Sequence, residues 1–328
     1  MKRIRRFLDL GNLRRFRAIV QLVTFVLLIY GAYFAIDLGS NMPVLSCGYD
    51  RQNGGMCYLL PLQHQLGRPL GMLFSMASIG ILVGFVTFLL WFIVFNKAWC
   101  GFVCPLGTMQ DWLTSLRKLF GIRYSSYNQT QFNRLKVIKY VLLVLLLLLP
   151  VAIGAGLIGG EWRAAFCQIC PGRMITPLFV GDFSQWTIDF SSKTTMILTA
   201  LGMVITGMFL AGSFVKKRFF CFFCPMSALQ YSFSKFSILK LKKDGGKCTK
   251  CGDCYTVCDM QIKDIADDVQ SRDILRDDCT LCMKCIAACP EEGCLQADIA
   301  GFTIFQSTKE GFSKRMQIDR PGGDDERA

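Results

Sequence analysis

The stretch CTKCGDCYTVC (Cys248–Cys258) is answered further along the chain by CTLCMKCIAACP (Cys279–Pro290). Each run spaces its cysteines as C-x2-C-x2-C-x3-C, the bacterial two-cluster pattern in which the fourth cysteine ligates the other cluster. The x2 steps let one loop set three thiolates around a cube, and the distant fourth ties the two halves together. The spacing therefore predicts one [4Fe–4S] cluster on Cys248, Cys251, Cys254 and Cys289, and a second on Cys279, Cys282, Cys285 and Cys258. A zinc site needs only four ligands and has no use for the repeated x3 cysteine. Asp259 stands where the motif usually carries proline, and Cys294 falls outside the pattern as a spare thiol.

Working outward, the remaining chain is apolar. Hydrophobic residues make up 52% of the 328, and they gather in four long stretches instead of spreading through a soluble core. Four membrane spans are expected, at about 18–36, 71–95, 137–159 and 194–215, each near the ~20 residues that a bilayer core requires. The first lacks a small-residue cleavage site and reads as an uncleaved anchor. The fold class is thus membrane α-helical, with four spans in two repeated halves and a small α+β two-cluster domain. The boundaries expected are a basic arm at 1–17, a membrane domain at 18–240, the two-cluster domain at 241–305 and a polar tail at 306–328.

Basic residues orient this arrangement. The arm MKRIRRFLDLGNLRRFR holds seven Lys and Arg, the segment Lys97–Lys139 holds seven, and Lys216, Lys217 and Arg218 follow the fourth span. The loops around 37–70 and 160–193 hold two and three. The positive-inside rule then puts both termini and the two-cluster domain in the cytoplasm of a bacterial inner membrane. Much of the formal charge of +13 is topological, and nucleic acid is not an expected partner.

On that topology the other cysteines sort by side. Cys100 and Cys104 (WCGFVCPLGTMQ) leave the second span and Cys221 and Cys224 (FCFFCPMSALQ) leave the fourth, at the inner face. Cys47, Cys57, Cys167 and Cys170 lie in the outer loops. The halves repeat: span, outer loop with two cysteines, span, then a cysteine pair closed by proline, with glutamine six residues on at Gln110 and Gln230. A pseudo-twofold axis along the membrane normal would gather four thiols at each face, which suits an iron–sulfur cluster. For the outer set two disulfides compete, Cys47 with Cys57 and Cys167 with Cys170, because that compartment is oxidising.

Covalent c-type haem is excluded within this chain, which has no CxxCH motif, and its one histidine cannot supply bis-His ligation. That histidine, His64, sits in LLPLQHQLGRPL; with Gln63, Glu161 and Arg163 it forms a candidate quinone site at the outer edge. Pro105–Phe120 carries an apolar stripe at helical spacing beside a polar face and reads as an interfacial helix, with a counterpart at Pro225–Leu239. Gly245 and Gly246 mark a hinge, and Ala297–Gln306 an edge strand. No nucleophile with a base and no phosphate-cradling loop is present.

The basic arm, four spans, CGFVCPLG, CFFCPMSAL and two four-cysteine runs, in that order, resemble the NapH-type membrane polyferredoxins, part of a wider group with NosR and CcoG. The resemblance implies an electron-transfer subunit of a respiratory redox complex, possible only in company: other membrane subunits, lipid, and a periplasmic cytochrome or iron–sulfur protein, with electrons passing from quinol. A quinol dehydrogenase activity would belong to that complex. The outer cysteines depart from the nitrate-reductase form and point to a different respiratory partner. The alternatives are a CcoG-like factor that reduces metal for insertion elsewhere, and a thiol–disulfide relay across the membrane.

Overall fold

The computed structural model describes residues 10–33, 47–51, 54–69, 79–122, 125, 129–162, 165–276 and 278–312. Helix α1 (Leu10–Tyr30) leads to a small hairpin, β1 (Gly48–Asp50) and β2 (Gly54–Met56), and to α2 (Leu59–Leu66). Then come α3 (Ile79–Phe95), α4 (Pro105–Leu119), α5 (Gln129–Gly154), two short helices α6 (Ala165–Gln168) and α7 (Pro171–Ile175), α8 (Lys193–Val215) and α9 (Pro225–Phe233). Strands β3 (Leu239–Lys243), β4 (Leu295–Ile299) and β5 (Phe302–Gln306) form an antiparallel sheet in that order.

Among the described residues, two helices are long and apolar enough to cross a membrane, over 131–154 and 193–215. At ~1.5 Å per residue the 23 residues of α8 match a hydrocarbon core of ~30 Å. Ser192 and Thr195 close a reciprocal capping box at its start, which satisfies two otherwise orphaned backbone donors. The described part of α3 is 17 residues, and its expected first turns at 71–78 lie outside the described residues, as does the end of the first expected span. The third stretch is shifted against expectation: α5 ends at Gly154, because the glycine-rich run GAGLIGG that follows has poor helix propensity.

These helices are dressed inside out. On α1, Arg17 and Gln21 are buried while Ile19, Leu22, Val23 and Val26 are exposed. On α4, Thr108, Gln110 and Arg117 are buried while Trp112, Leu116 and Phe120 are exposed. The expected interfacial helix α4 thus turns most of its polar side inward, keeping Leu106 and Met109 as its apolar contribution to the core. Outward Val141, Val144 and Leu148 on α5, and Ile197, Val204 and Met208 on α8, continue the pattern. Contiguous apolar surface of this kind suits contact with lipid.

The β3–β4–β5 sheet embraces both cysteine runs. Leu239, ahead of the first run, pairs with Ile299, beyond the second, so the chain closes on itself around the thiols. Two strands with a bulge between Ala297 and Asp298 replace the single edge strand expected there. Gly245 and Gly246 are no hinge: a Cβ at Gly245 would collide with the Val269 carbonyl, Asp244 caps Gly246 N–H at 3.2 Å, and Asp244 N–H donates to the Cys294 carbonyl.

The sheet is locked onto the helices. Ile238 N–H donates to the Ile93 carbonyl at the end of α3, and Asn96 Nδ2 donates to Ser237 Oγ at 2.7 Å and to the Leu239 carbonyl at 3.2 Å. Lys139 on α5 donates to Asp278 at 2.5 Å, with both side chains buried. Removing one partner of such a pair strands a buried charge, at a cost of about 3–5 kcal/mol. Lys139→Met should therefore destabilise the full chain by that order in urea unfolding in detergent, and the double variant Lys139→Met/Asp278→Leu should recover most of the loss. Equal losses in the single and double variants would contradict this role.

Candidate metal centre

The two C-terminal runs fold alike. In the first, Lys250 and Gly252 on either side of Cys251 take left-handed backbone, and in the second Leu281 and Met283 on either side of Cys282 do the same. Such conformations cost non-glycine residues about 1–3 kcal/mol and here turn successive thiols toward one centre. Helices α10 (Asp253–Thr256) and α11 (Lys284–Ala288) follow at matching places. One cavity is lined by Cys248, Cys251, Cys254 and Cys289, the crossed set that the spacing predicts, together with Cys294 and Lys243. Cys258 lies within electrostatic reach of Cys282 and Cys279, and Cys285 of those three. The donor set and the cavity fit a group larger than a single ion; among the described residues no three or more His, Cys, Asp or Glu side chains close around one.

Two side chains beside these sets were not legible as participants. Cys294 is buried and its thiol bonds to Cys289, pulling the Cys289 thiol down to about 6. Asp259, in the usual proline position, pairs with Lys284; burial would raise its carboxyl, but Lys284 holds it below the ordinary carboxylate range. The proline is replaced by an ion pair.

The membrane-domain cysteines share one local device. Cys104, Cys170 and Cys224 each stand in extended backbone (ψ 119, 127 and 115°) immediately before a proline that starts a helix. Proline pre-sets the first helical turn and forces its predecessor to be extended, so each thiol is held off the helix start. Cys100 occupies a π-helical turn, Trp99–Val103, a distortion that commonly marks functional sites. Cys100, Cys104, Cys221 and Cys224 lie within electrostatic reach of one another. Their glutamines cross over: Cys100 Sγ donates to Gln230 Oε1 at 2.8 Å, and Gln110 Nε2 donates to Cys221 Sγ at 3.9 Å.

The outer set adjoins the inner one. Cys47 hydrogen-bonds to Cys104 and is in reach of Cys170 and Cys57. Cys57 bonds to Cys167, and Cys170 is in reach of Cys104. Tyr49, Tyr58 and Leu59 on the same segments are buried, and the inner and outer sets are neighbours. All seventeen cysteines are free thiols, and Cys57 stands nearest to Cys167.

The inner set in turn abuts the second C-terminal run. A Cβ on Gly101 would collide with the Thr280 carbonyl and sit 3.2 Å from Cys282 Cα; only glycine allows this approach. Lys97, buried three residues before Cys100, is in electrostatic reach of Cys100 and of Cys279. Arg218, three residues before Cys221, donates to the Cys100 carbonyl at 2.7 Å and to Asp111 at 2.7 and 3.2 Å. Arg17 joins the same carboxylate. The basic residue three before each first cysteine was a repeat visible in the sequence that had not been singled out.

The candidate quinone residues diverge. Gln63 is buried with Nε2 donating to Cys167 Sγ at 3.2 Å. Glu161 is exposed and accepts from Ser192 Oγ at 3.1 Å. His64 is exposed on α2, and Arg163 lies outside the described residues.

The 4Fe-4S binding domain family matches residues 77–123 and again 198–244, one match per half, and the 4Fe-4S dicluster domain family matches residues 240–290. The chain is similar to an uncharacterized protein of Methanocaldococcus jannaschii, 29% identical over 203 residues, which are 61% of this chain and 71% of that one. It is similar to the putative electron transport protein YccM of Escherichia coli, at 26% over 65% of this chain and 54% of YccM. The ferredoxin-type protein NapH of Haemophilus influenzae is 28% identical over 64% of this chain and 66% of its own length. The chain thus carries iron–sulfur binding domains and is a distant homologue of ferredoxin-type proteins. No solved structure matches it.

The Asp111 carboxylate anchors two arginines beside these thiols and gives a pH test. Burial would raise its carboxyl, yet Arg218 and Arg17 hold it well below the ordinary carboxylate range. A depressed folded-state value means that the stabilisation is full above the unfolded value of about 3.9 and is lost as pH falls through the folded one. Asp111→Asn should therefore be clearly less stable than the parent at pH 7, with the two converging below about pH 3 in unfolding monitored in detergent. A stability gap that persists unchanged into acid would contradict the assignment.

Proposed function

We propose that this distant homologue of ferredoxin-type proteins is a membrane-anchored electron carrier whose sixteen paired thiols hold a continuous row of iron–sulfur centres. Bound [4Fe–4S] clusters would supply one-electron redox chemistry. The residues that would hold them are Cys47, Cys57, Cys167 and Cys170; then Cys100, Cys104, Cys221 and Cys224; then Cys279, Cys282, Cys285 and Cys258; and finally Cys248, Cys251, Cys254 and Cys289. The observation that carries this is contiguity: Cys47 bonds to Cys104, and Gly101 lies against Thr280 and Cys282. Thiol sets at opposite faces would leave ~30 Å of hydrocarbon between them. Loops that re-enter the bundle shorten that gap.

In this proposal four spans run from a basic inner side, with both termini and the two-cluster domain cytoplasmic, and the row links a quinone pool or a periplasmic redox partner with the cytoplasmic sets. The protein's part is to ligate through thiolates, to exclude water with the apolar bundle and to set potentials through burial and hydrogen bonds to sulfur. Lys97, Arg218 and Asp111 fix the local field.

Iron quantitation on anaerobically purified full-length protein tests the row. Four loaded sets give about sixteen iron atoms per chain, and two give about eight. The expected result is a value near sixteen that falls by about four in Cys100→Ser/Cys221→Ser; a parent value near eight would overturn the membrane-domain centres. For the quinone link, anaerobic quinol should bleach the iron–sulfur absorption of membranes carrying the protein, and a quinone analogue should block it. Bleaching indifferent to the analogue would point to another donor.

A further inference from the structure

The membrane-domain glutamines carry an inference that rests on the proposed centre at Cys100, Cys104, Cys221 and Cys224. Both are fully buried. Each sits six residues after the second cysteine of its own half, yet each reaches the first cysteine of the other half. This exchange is what a pseudo-twofold axis through the four thiols demands. The glutamine helices α4 and α9 thereby clasp each other's cysteine pair.

The two amides differ in one respect. Gln110 is fixed by its oxygen, which accepts from Phe220 N–H at 3.1 Å, and by its nitrogen, which donates to the Leu106 carbonyl at 3.2 Å and has its second hydrogen for Cys221 Sγ at 3.9 Å. Gln230 offers its oxygen to the Cys100 thiol, and its Nε2 is buried with no hydrogen-bond partner. A buried orphaned N–H group is costly and calls for an acceptor. A thiol can donate to Gln230 Oε1, but a thiolate that ligates iron has no proton to donate and only accepts. With Cys100 as a ligand, a half-turn of the Gln230 amide brings Nε2 onto the sulfur. The orphan is then satisfied, and the two halves present the same N–H···S bond.

We propose that Gln110 and Gln230 are paired positioning residues of this centre, donating amide hydrogen bonds across the pseudo-twofold to the thiolates of Cys221 and Cys100. Donors to a ligating sulfur stabilise the more negatively charged, reduced form and so raise the reduction potential. The pair also distinguishes the two first cysteines, which receive an amide, from Cys104 and Cys224 before their prolines.

The test uses full-length protein and the reduced-state EPR signal that disappears in Cys100→Ser. Redox titration of Gln230→Leu and Gln110→Leu should show that signal with iron content unchanged and reduction about tenfold less favourable in each, a downward shift of about 59 mV for one electron. Gln230→Met, of similar length and with no donor, should also lie below the parent. Gln230→His, a shorter donor, should restore part of the shift. An unchanged potential in both leucine variants with the signal intact would overturn the amide bonds and leave the centre standing. Absence from the parent of any signal sensitive to Cys100→Ser would instead overturn the centre itself. If the leucine variants lose iron, the methionine and histidine variants decide by their order: histidine above methionine supports donation, and equal potentials contradict it.

Discussion

Thiolate-rich centres packed side by side in an apolar bundle repel one another and resist desolvation, and the rest of this structure depends on holding them together. Buried charge is tolerable only when paired and hydrogen-bonded. Here the cations are built into the elements that bear the cysteines. Lys97 precedes Cys100 and Arg218 precedes Cys221, each buried. Asp111 joins Arg17 and Arg218, and Asp278 joins Lys139. These ion pairs do two tasks at once: they offset negative charge near the thiols and they rivet the two-cluster sheet and the N-terminal helix to the bundle.

The same constraint explains the inside-out helices. Polar groups needed around sulfur must come from the inward faces, so Gln110 and Gln230 are buried and the aliphatic residues are left for the periphery. In water that arrangement would be costly; against lipid it is the favourable one. The repeated half-domain follows from economy of local structure. One device, a cysteine held extended before a helix-starting proline, recurs at Cys104, Cys170 and Cys224.

The C-terminal runs were legible because their information is local: the x2 and x3 spacings specify which thiols one loop can gather, and the cavity at Cys248, Cys251, Cys254 and Cys289 has that composition. The α8 span was legible from length and hydropathy. The proximity of the outer cysteines to the inner ones was not, because counting basic residues assigns a side of the membrane and says nothing about which thiols the fold brings together. Tyr49, Tyr58 and Leu59, which are buried on the same segments, look in sequence like ordinary interfacial residues. The spaced glutamines were visible as a repeat, but their exchange of partners exists only in three dimensions. Asp259 showed as a departure from the motif, and only its contact with Lys284 says what replaced the proline.

The central claim is that membrane-domain and C-terminal thiol sets are neighbours in one row. Low-temperature EPR of the fully reduced full-length protein measures this through magnetic coupling between adjacent paramagnetic centres. The account predicts a broadened, interacting spectrum that simplifies to the two-cluster pattern in Cys100→Ser/Cys221→Ser; a spectrum identical before and after that substitution would contradict it.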